Sequence, residues 1–427
     1  MKFYLITLLL VIVGVSVNAQ SHAITFDVDG LKVIFRPTQK ETVSIAMYYK
    51  GGVMNYPAEQ AGIEHLALAA ATSCGTKNYK VDDYQELADE YGISISGGSS
   101  TDYGIVAMSC INKYLNQGWK LFSDAIVNPA FDPSEFNVEK EKMISGSRYR
   151  DSQPEAVIDQ LSLKSMFAST RYGTFPLGNE SSLRALSVDS VKNYYHNKLV
   201  NKNRMFLVVA GKITKEALEQ MIRSAFASLP SKPYTAPAYQ DVRLTGDQLV
   251  IAQRNIATNY ISRVMNAPSM SNPDYPAFKL AITVLSSYLH FKLRTEQALS
   301  YAPGAKIKLM NVPYTSLYVS TTQPKKSVQG MIEAFNAIKQ GNYNPAVLKD
   351  IKKSYRLDNY TDQESSATIV DNLGKAEILG SYKLEENLLD AIDQVDQTDV
   401  SRVFNKYLNG SIWVYVGNEQ LGREAFK

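Results

Sequence analysis

The feature that most constrains this chain is that it repeats itself once, over half its length. Trp119-Lys-Leu-Phe-Ser-Asp-Ala-Ile126 leads to Asn128-Pro129-Ala130-Phe131-Asp132-Pro133 and a helix rich in Lys and Glu. Met331 to Ile338 leads in the same way to Asn342-Tyr343-Asn344-Pro345 and a helix over Val347 to Lys353. Phe122 matches Phe335, 213 residues on, and Pro133 matches Pro345, 212 residues on. The ends of the halves agree as well. Ser187-Val-Asp189 caps a helix carrying Tyr194 and Tyr195, followed by a strand from Met205 to Gly211. Thr398-Asp399 caps a helix carrying Phe404 and Tyr407, followed by a strand from Ile412 to Gly417, whose glycine lies 206 residues after Gly211. A near-constant offset over separate blocks indicates two homologous halves.

The starts of the halves complete the pattern. Leu31 to Phe35 and Val43 to Tyr49 read as strand, turn, strand, as do Leu249 to Ala252 and Asn259 to Met265. Each pair passes through a proline-containing loop (Pro57; Pro273 and Pro276) into an apolar helix, around Ile63 to Ala71 and Ala277 to Leu289. Alternating strands and connecting hairpins predict an α+β fold, in which each half is a mostly antiparallel sheet with helices packed on one face. Pro230, Pro233 and Pro237 place a linker at residues 230–240, between an N-terminal half at 20–229 and a C-terminal half at 241–427.

Composition narrows the class. The 427 residues carry 45 Lys and Arg against 42 Asp and Glu, and 45% are apolar, which excludes disordered and collagen-like chains. A net charge of +3 with no basic stripe argues against nucleic acid as a partner. Lys2, the apolar run Phe3 to Val17 and the small residue Ala19 before Gln20 read as a signal peptide over 1–19. The expected product is exported, periplasmic or secreted; an uncleaved anchor is the alternative. No later segment is long and apolar enough to span a bilayer. In an oxidising compartment Cys74 and Cys110 could pair, but a core of this size does not need one bridge, and separate thiols are the favoured reading.

Chemistry is expected in the first apolar helix, Gly62-Ile-Glu-His65-Leu-Ala-Leu68-Ala69, which ends near Gly75-Thr76. This string resembles the zinc-binding helix of the insulinase, pitrilysin and mitochondrial-processing-peptidase family, whose motif is His-x-x-Glu-His. Asn128 to Phe131, Tyr172 to Gly178 and Asn201 to Gly211 resemble later blocks of the same family, and the duplication is its plan. Placed on Gly62, the resemblance puts the first ligand at His65, the acid/base Glu at Leu68, the second His at Ala69 and a third, distant ligand at or beside Gly146. Zinc needs about four nitrogen, sulfur or oxygen donors at about 2.0–2.3 Å, and leucine, alanine and glycine side chains offer none. A register ending on Glu64-His65 still lacks a histidine, so neither reading closes a metal site in this chain. Without a ligand set, His65 reads as a satisfied, half-buried core residue, and Glu139 and Glu141 as solvated helix charges.

The second half keeps what the first lacks. Ser286-Ser-Tyr-Leu-His-Phe-Lys-Leu-Arg294-Thr-Glu-Gln-Ala-Leu-Ser-Tyr301 resembles the family block whose Arg and Tyr reach a zinc site, with Thr295 and Ala298 departing from its Glu and Gly. A tyrosine hydroxyl can donate to a developing oxyanion, and a guanidinium can hold a carbonyl or carboxylate with two parallel donors. The bland alternative is a helix-end Arg and a turn Tyr without a role. Tyr91 to Ser100 and Tyr103 to Met108 read as two strands joined by a Gly/Ser loop, and the resemblance puts the first at a sheet edge. There Ser94, Ile95, Ser96 and Gly97 would take an extended peptide as an added strand, or form a plain hairpin.

The resemblance thus implies a subunit without its own zinc. Its partners would be a zinc-bearing homologue, to whose site Arg294 and Tyr301 are donated, and an unfolded peptide. A catalytically inert scaffold or peptide-holding protein of the same fold is the rival.

Overall fold

The computed structural model describes residues 22–427, so the expected signal peptide and its cleavage site lie outside the described residues. The first half contributes strands β1 (Ile24–Val28), β2 (Leu31–Pro37), β3 (Thr42–Lys50), β4 (Ser94–Ser99), β5 (Tyr103–Ile111) and β6 (Met205–Gly211). They form one sheet in the order β1-β2-β6-β3-β5-β4. The second half contributes β7 (Asp247–Gln253), β8 (Asn259–Asn266), β9 (Gly304–Lys308), β10 (Tyr314–Thr321) and β11 (Ser411–Gly417), in the order β7-β11-β8-β10-β9.

The two orders superpose once the extra edge strand β1 is set aside. β2 and β6 run parallel, as do β7 and β11, and every other pairing is antiparallel. The duplication is therefore topological as well as sequential. One detail differs from the sequence expectation. β2 and β3 do not form a hairpin, because β6 returns from the end of the half and inserts between them; β11 does the same between β7 and β8. Local patterning shows two strands and a turn, and a central partner arriving some 160 residues later is invisible to it.

Helices alternate with these strands: α1 (Ile63–Ser73), α2 (Val81–Glu90), α3 (Leu115–Val127), α4 (Pro133–Ser152), α5 (Pro154–Met166), α6 (Glu180–Ala185), α7 (Val188–Tyr194) and α8 (Lys215–Phe226) in the first half. The second half has α9 (Tyr275–His290), α10 (Pro324–Lys339), α11 (Pro345–Asp362), α12 (Ser366–Ile378), α13 (Lys383–Glu386), α14 (Leu388–Gln394), α15 (Gln397–Tyr407) and α16 (Glu419–Ala425). Asp132 and Asn344 cap α4 and α11 through their side chains, with proline at the first helical position in both. Ser187 caps α7 in a capping box with Ser190. The corresponding cap of α15 is Asp396, boxed with Asp399, two residues before the expected Thr398. A π turn, Tyr195–Leu199, continues α7 and carries Tyr195.

The central strands are apolar on both faces because both are covered. On β3, Val43, Ile45, Met47 and Tyr49 face the first half's own helices, while Ala46 and Tyr48 face Ile369, Val370 and Leu373 of α12 from the other half. In return α5 packs on β8 and β11 of the second half. Each sheet thus carries its own helices on one side and a helix lent by the other half on the second. Gly374 lets α12 approach, since a Cβ there would lie 2.1 Å from Tyr48 Cζ. Ion pairs seal the rim, Arg36 to Glu386 at 3.0 Å and Lys32 to Glu377 at 2.6 Å. Residues 230–245 carry neither helix nor strand. Cys74 and Cys110 are free, buried thiols, and burial pushes both up to about 11. No helix among the described residues is long and apolar enough to cross a membrane.

Candidate functional site at helix α1 and the sheet edge

Helix α1 lies across β4 and β5. Its first turn starts at Gly62 with φ +93°, where a side chain would also press on Leu183. Its underside fits the strands through glycines. A Cβ on Gly97 would meet the Leu68 carbonyl oxygen at 2.0 Å, and one on Gly104 would meet Leu68 Cδ1 at 2.4 Å. Leu68 is consequently sealed between helix and sheet.

The residues aligned with the zinc motif form no ligand set. His65 is half-buried, and its Nδ1 accepts the Ser99 N–H at 3.0 Å, which spends one of its two nitrogens on the backbone. Burial lowers its imidazole from the usual value. Leu68 and Ala69 carry no donor atoms, and Gly146, which has no side chain, sits on α4. Among the described residues no group of three or more His, Cys, Asp or Glu is arranged to hold a metal. A zinc ion of the kind the resemblance implies does not fit these side chains.

Glu64 shows why the alternative register also fails. It turns away from His65 into the core, where its side chain is 0% exposed. There its Oε2 accepts from Tyr194 Oη at 2.6 Å, from Arg204 Nη2 at 3.0 Å and from Asn55 Nδ2 at 3.3 Å. Arg204 also donates to the carbonyls of Lys50 and Lys198 and lies over the Tyr234 ring. This buried ion pair was absent from the sequence reading; the only hint was an acid in an otherwise apolar helix.

β4 is the last strand of its sheet, paired only with β5. Ser94, Ile95, Ser96 and Gly97 therefore stand at an edge, with β5 on one side only. They line a cavity of about 410 Å³ with Ala69, Thr72 and Ser73 of α1, Tyr84 and Ala88 of α2, and Glu139 and Lys142 of α4. Glu139 is not the solvated charge expected: its side chain is only 14% exposed and pairs with Lys142 at 3.6 Å on the cavity wall.

Arg294 and Tyr301 come together in the second half. Arg294 follows α9 on a π turn, Phe291–Glu296, and its guanidinium carbon lies 4.4 Å from the centre of the Tyr301 ring. Its Nη1 is 3.3 Å from His290 Nε2. Tyr301 is 79% exposed and Arg294 is exposed too, so the pair stands on the surface. Among the described residues no hydrogen bond or ring contact ties it to His65 or β4.

A duplicated α+β chain with a glycine-fitted first helix over a sheet edge defines a class, the two-domain peptidase-like proteins. Family models agree. "Insulinase (Peptidase family M16)" matches residues 32–180 and "Peptidase M16 inactive domain" matches residues 185–355. The chain belongs to the insulinase family. Among relatives, the probable mitochondrial-processing peptidase subunit beta of Arabidopsis thaliana is 18% identical over 92% of this chain and 77% of its own. Bovine cytochrome b-c1 complex subunit 1 is 21% identical over 61% of this chain, and the match spans only 54% of that protein. Among solved structures, a protease from Helicobacter pylori superposes with TM-score 0.87 at 16% identity, covering 93% of this chain and all (100%) of that one. A peptidase M16 inactive domain from Pseudomonas fluorescens gives 0.84 at 17% identity, covering 93% and 98%. These likenesses establish the fold.

Proposed function

We propose that this protein is an insulinase-type subunit without zinc of its own, which holds an unfolded peptide along β4 and works beside a zinc-bearing homologous partner. The observation that carries the reading is the edge of β4 beside the α1 positions where donors are replaced by Leu68 and Ala69. An edge strand offers backbone N–H and C=O groups to any extended sequence, and the cavity beside it has room for side chains. Arg294 and Tyr301 are the groups donated to the partner. Their exposure supports this, since a stacked Arg and Tyr facing outward can serve a second chain but not the core. The protein is exported, and the zinc resides in the partner.

The experiment is to mix the purified chain with a zinc-bearing homologue and follow cleavage of an unfolded, fluorogenic peptide. The mixture should cut faster than the homologue alone, at a one-to-one saturation point. Equal rates would remove the auxiliary role and leave the inert scaffold, a reading favoured by the likeness to a cytochrome b-c1 complex subunit.

A further inference from the structure

The second half contains a cleft of about 180 Å³ between α9, α11, α12 and the α13–α14 turn, and no residue of α1 or β4 lines it. Its floor is built by Tyr275 of α9, 3% exposed, with Met270 and Leu388 beside it. Two opposite charges sit half-buried in it, Lys279 of α9 and Glu385 of α13. Asp358 and Asp362 of α11 stand exposed at the mouth.

Four charged groups of this cleft are unspent. The Lys279 ammonium lies 4.8 Å from the Tyr355 ring centre and makes no hydrogen bond or ion pair with a described residue. The carboxylates of Glu385, Asp358 and Asp362 likewise have no such partner among the described residues, although Glu385 and Asp362 are close enough to act on Lys279 electrostatically. By contrast, the buried carboxylate of Asp274 is paired with Arg402 and Lys406. Buried polar groups are ordinarily hydrogen-bonded, because stripping them of water without a replacement is costly. Burial lowers the amine of Lys279 and raises the carboxyl of Glu385, each against the pull of the other. A ligand that reached both would relieve both.

From this geometry we propose that the cleft binds a free basic α-amino acid, its carboxylate on Lys279, its α-ammonium on Glu385 and its cationic side chain at Asp358 and Asp362. The charges decide the class. A zwitterion matches the inner pair, while the two carboxylates at the mouth favour a side chain carrying positive charge. The tyrosine rings of Tyr275 and Tyr355 add faces that attract cations. The volume suits one small molecule and not an extended peptide.

Titration calorimetry on the full chain tests the proposal without any proteolytic partner. L-Arginine or L-lysine should bind with one site per chain. Agmatine and cadaverine, which lack the carboxylate, should bind at least about tenfold more weakly, and L-leucine should lose a similar factor through the missing side-chain charge. D358N, a substitution at an exposed position, should narrow the gap between arginine and leucine. Lys279→Met should abolish the preference for arginine over agmatine. The proposal is overturned if arginine releases no heat at millimolar concentration, or if agmatine binds as tightly as arginine to the unaltered protein.

Discussion

Arg204 donates to Glu64 at 3.0 Å across 140 residues of chain, with the two side chains 3% and 0% exposed. Burial pushes the Glu64 carboxyl up while Arg204, Tyr194 and Asn55 pull it down. Removing one member strands the other. Glu64→Ala should cost about 3–5 kcal/mol of unfolding free energy. Arg204→Met should cost at least as much, because the carbonyls of Lys50 and Lys198 lose their donor too. Glu64→Gln, which keeps an acceptor for Tyr194 and Arg204, should be the mildest. Urea unfolding of the three variants checks the order.

The contact between the halves has its own signature. Gly374 of α12 faces Tyr48 of β3, whose hydroxyl donates to the Val370 carbonyl at 3.4 Å. Gly374→Ala should destabilise by about 1–3 kcal/mol through overpacking. Tyr48→Leu leaves a gap when introduced alone, but in the Gly374→Ala background the smaller side chain accommodates the methyl. A double-mutant cycle should therefore show a favourable coupling. Additive costs would mean that α12 shifts freely instead of being held by this contact.

The duplication made most of the fold legible. Strands β6 and β11 and the apolar helices α1 and α9 show plainly as runs bounded by turns and caps. What sequence patterning missed are relations between distant segments. The insertion of β6 between β2 and β3 and the exchange of α5 and α12 between halves leave no local trace beyond unbroken apolar runs. At the site, β4 is an edge strand because β5 alone pairs with it, a position that its own Ser- and Gly-rich sequence does not dictate. The core-facing role of Glu64 was not readable either, because its partner Arg204 lies 140 residues away and leaves no local sign of the pairing.

Acid should weaken the second half at Asp274. Burial would raise this carboxyl, but hydrogen bonds from Lys406, Arg402 and Tyr407 outweigh it and hold it at about 2. A depressed carboxylate stabilises the fold above its unfolded value of about 4, and that contribution is lost as the pH falls from about 4 towards 2. The effect should be on the order of 1 kcal/mol, since the cations around it are half-exposed. Asp274→Asn should flatten the stability curve over that window. An unchanged slope between pH 4 and 2 would show that the cluster does not couple to folding.

If an unfolded peptide adds to β4, its backbone carries the affinity. Methylating the peptide nitrogens at alternate positions removes donors from one edge only. Each lost hydrogen bond is worth about 1 kcal/mol, so blocking two facing donors should weaken binding at least about tenfold. Shifting the methyl groups by one residue should leave binding nearly intact, because a strand presents alternate N–H groups to opposite sides. Fluorescence anisotropy with both methylation patterns distinguishes strand addition from adsorption in the cavity, which would respond equally to either.

Arg294 and Tyr301 separate a functional surface from a structural one. Their 4.4 Å stacking is exposed, and substitutions at such sites ordinarily change stability by less than about 0.5 kcal/mol. Arg294→Ala and Tyr301→Phe should therefore melt with the unaltered chain. In the mixture with a zinc-bearing homologue, each should lower the added turnover by about tenfold or more, as expected when a donor to a developing oxyanion is lost. The loss should fall mainly on kcat for Tyr301→Phe, whose hydroxyl acts on the charge that builds up in the transition state, and on KM for Arg294→Ala if the guanidinium grips the ground-state peptide. Full turnover with both substitutions would assign the pair to the surface alone and return the chain to the scaffold reading.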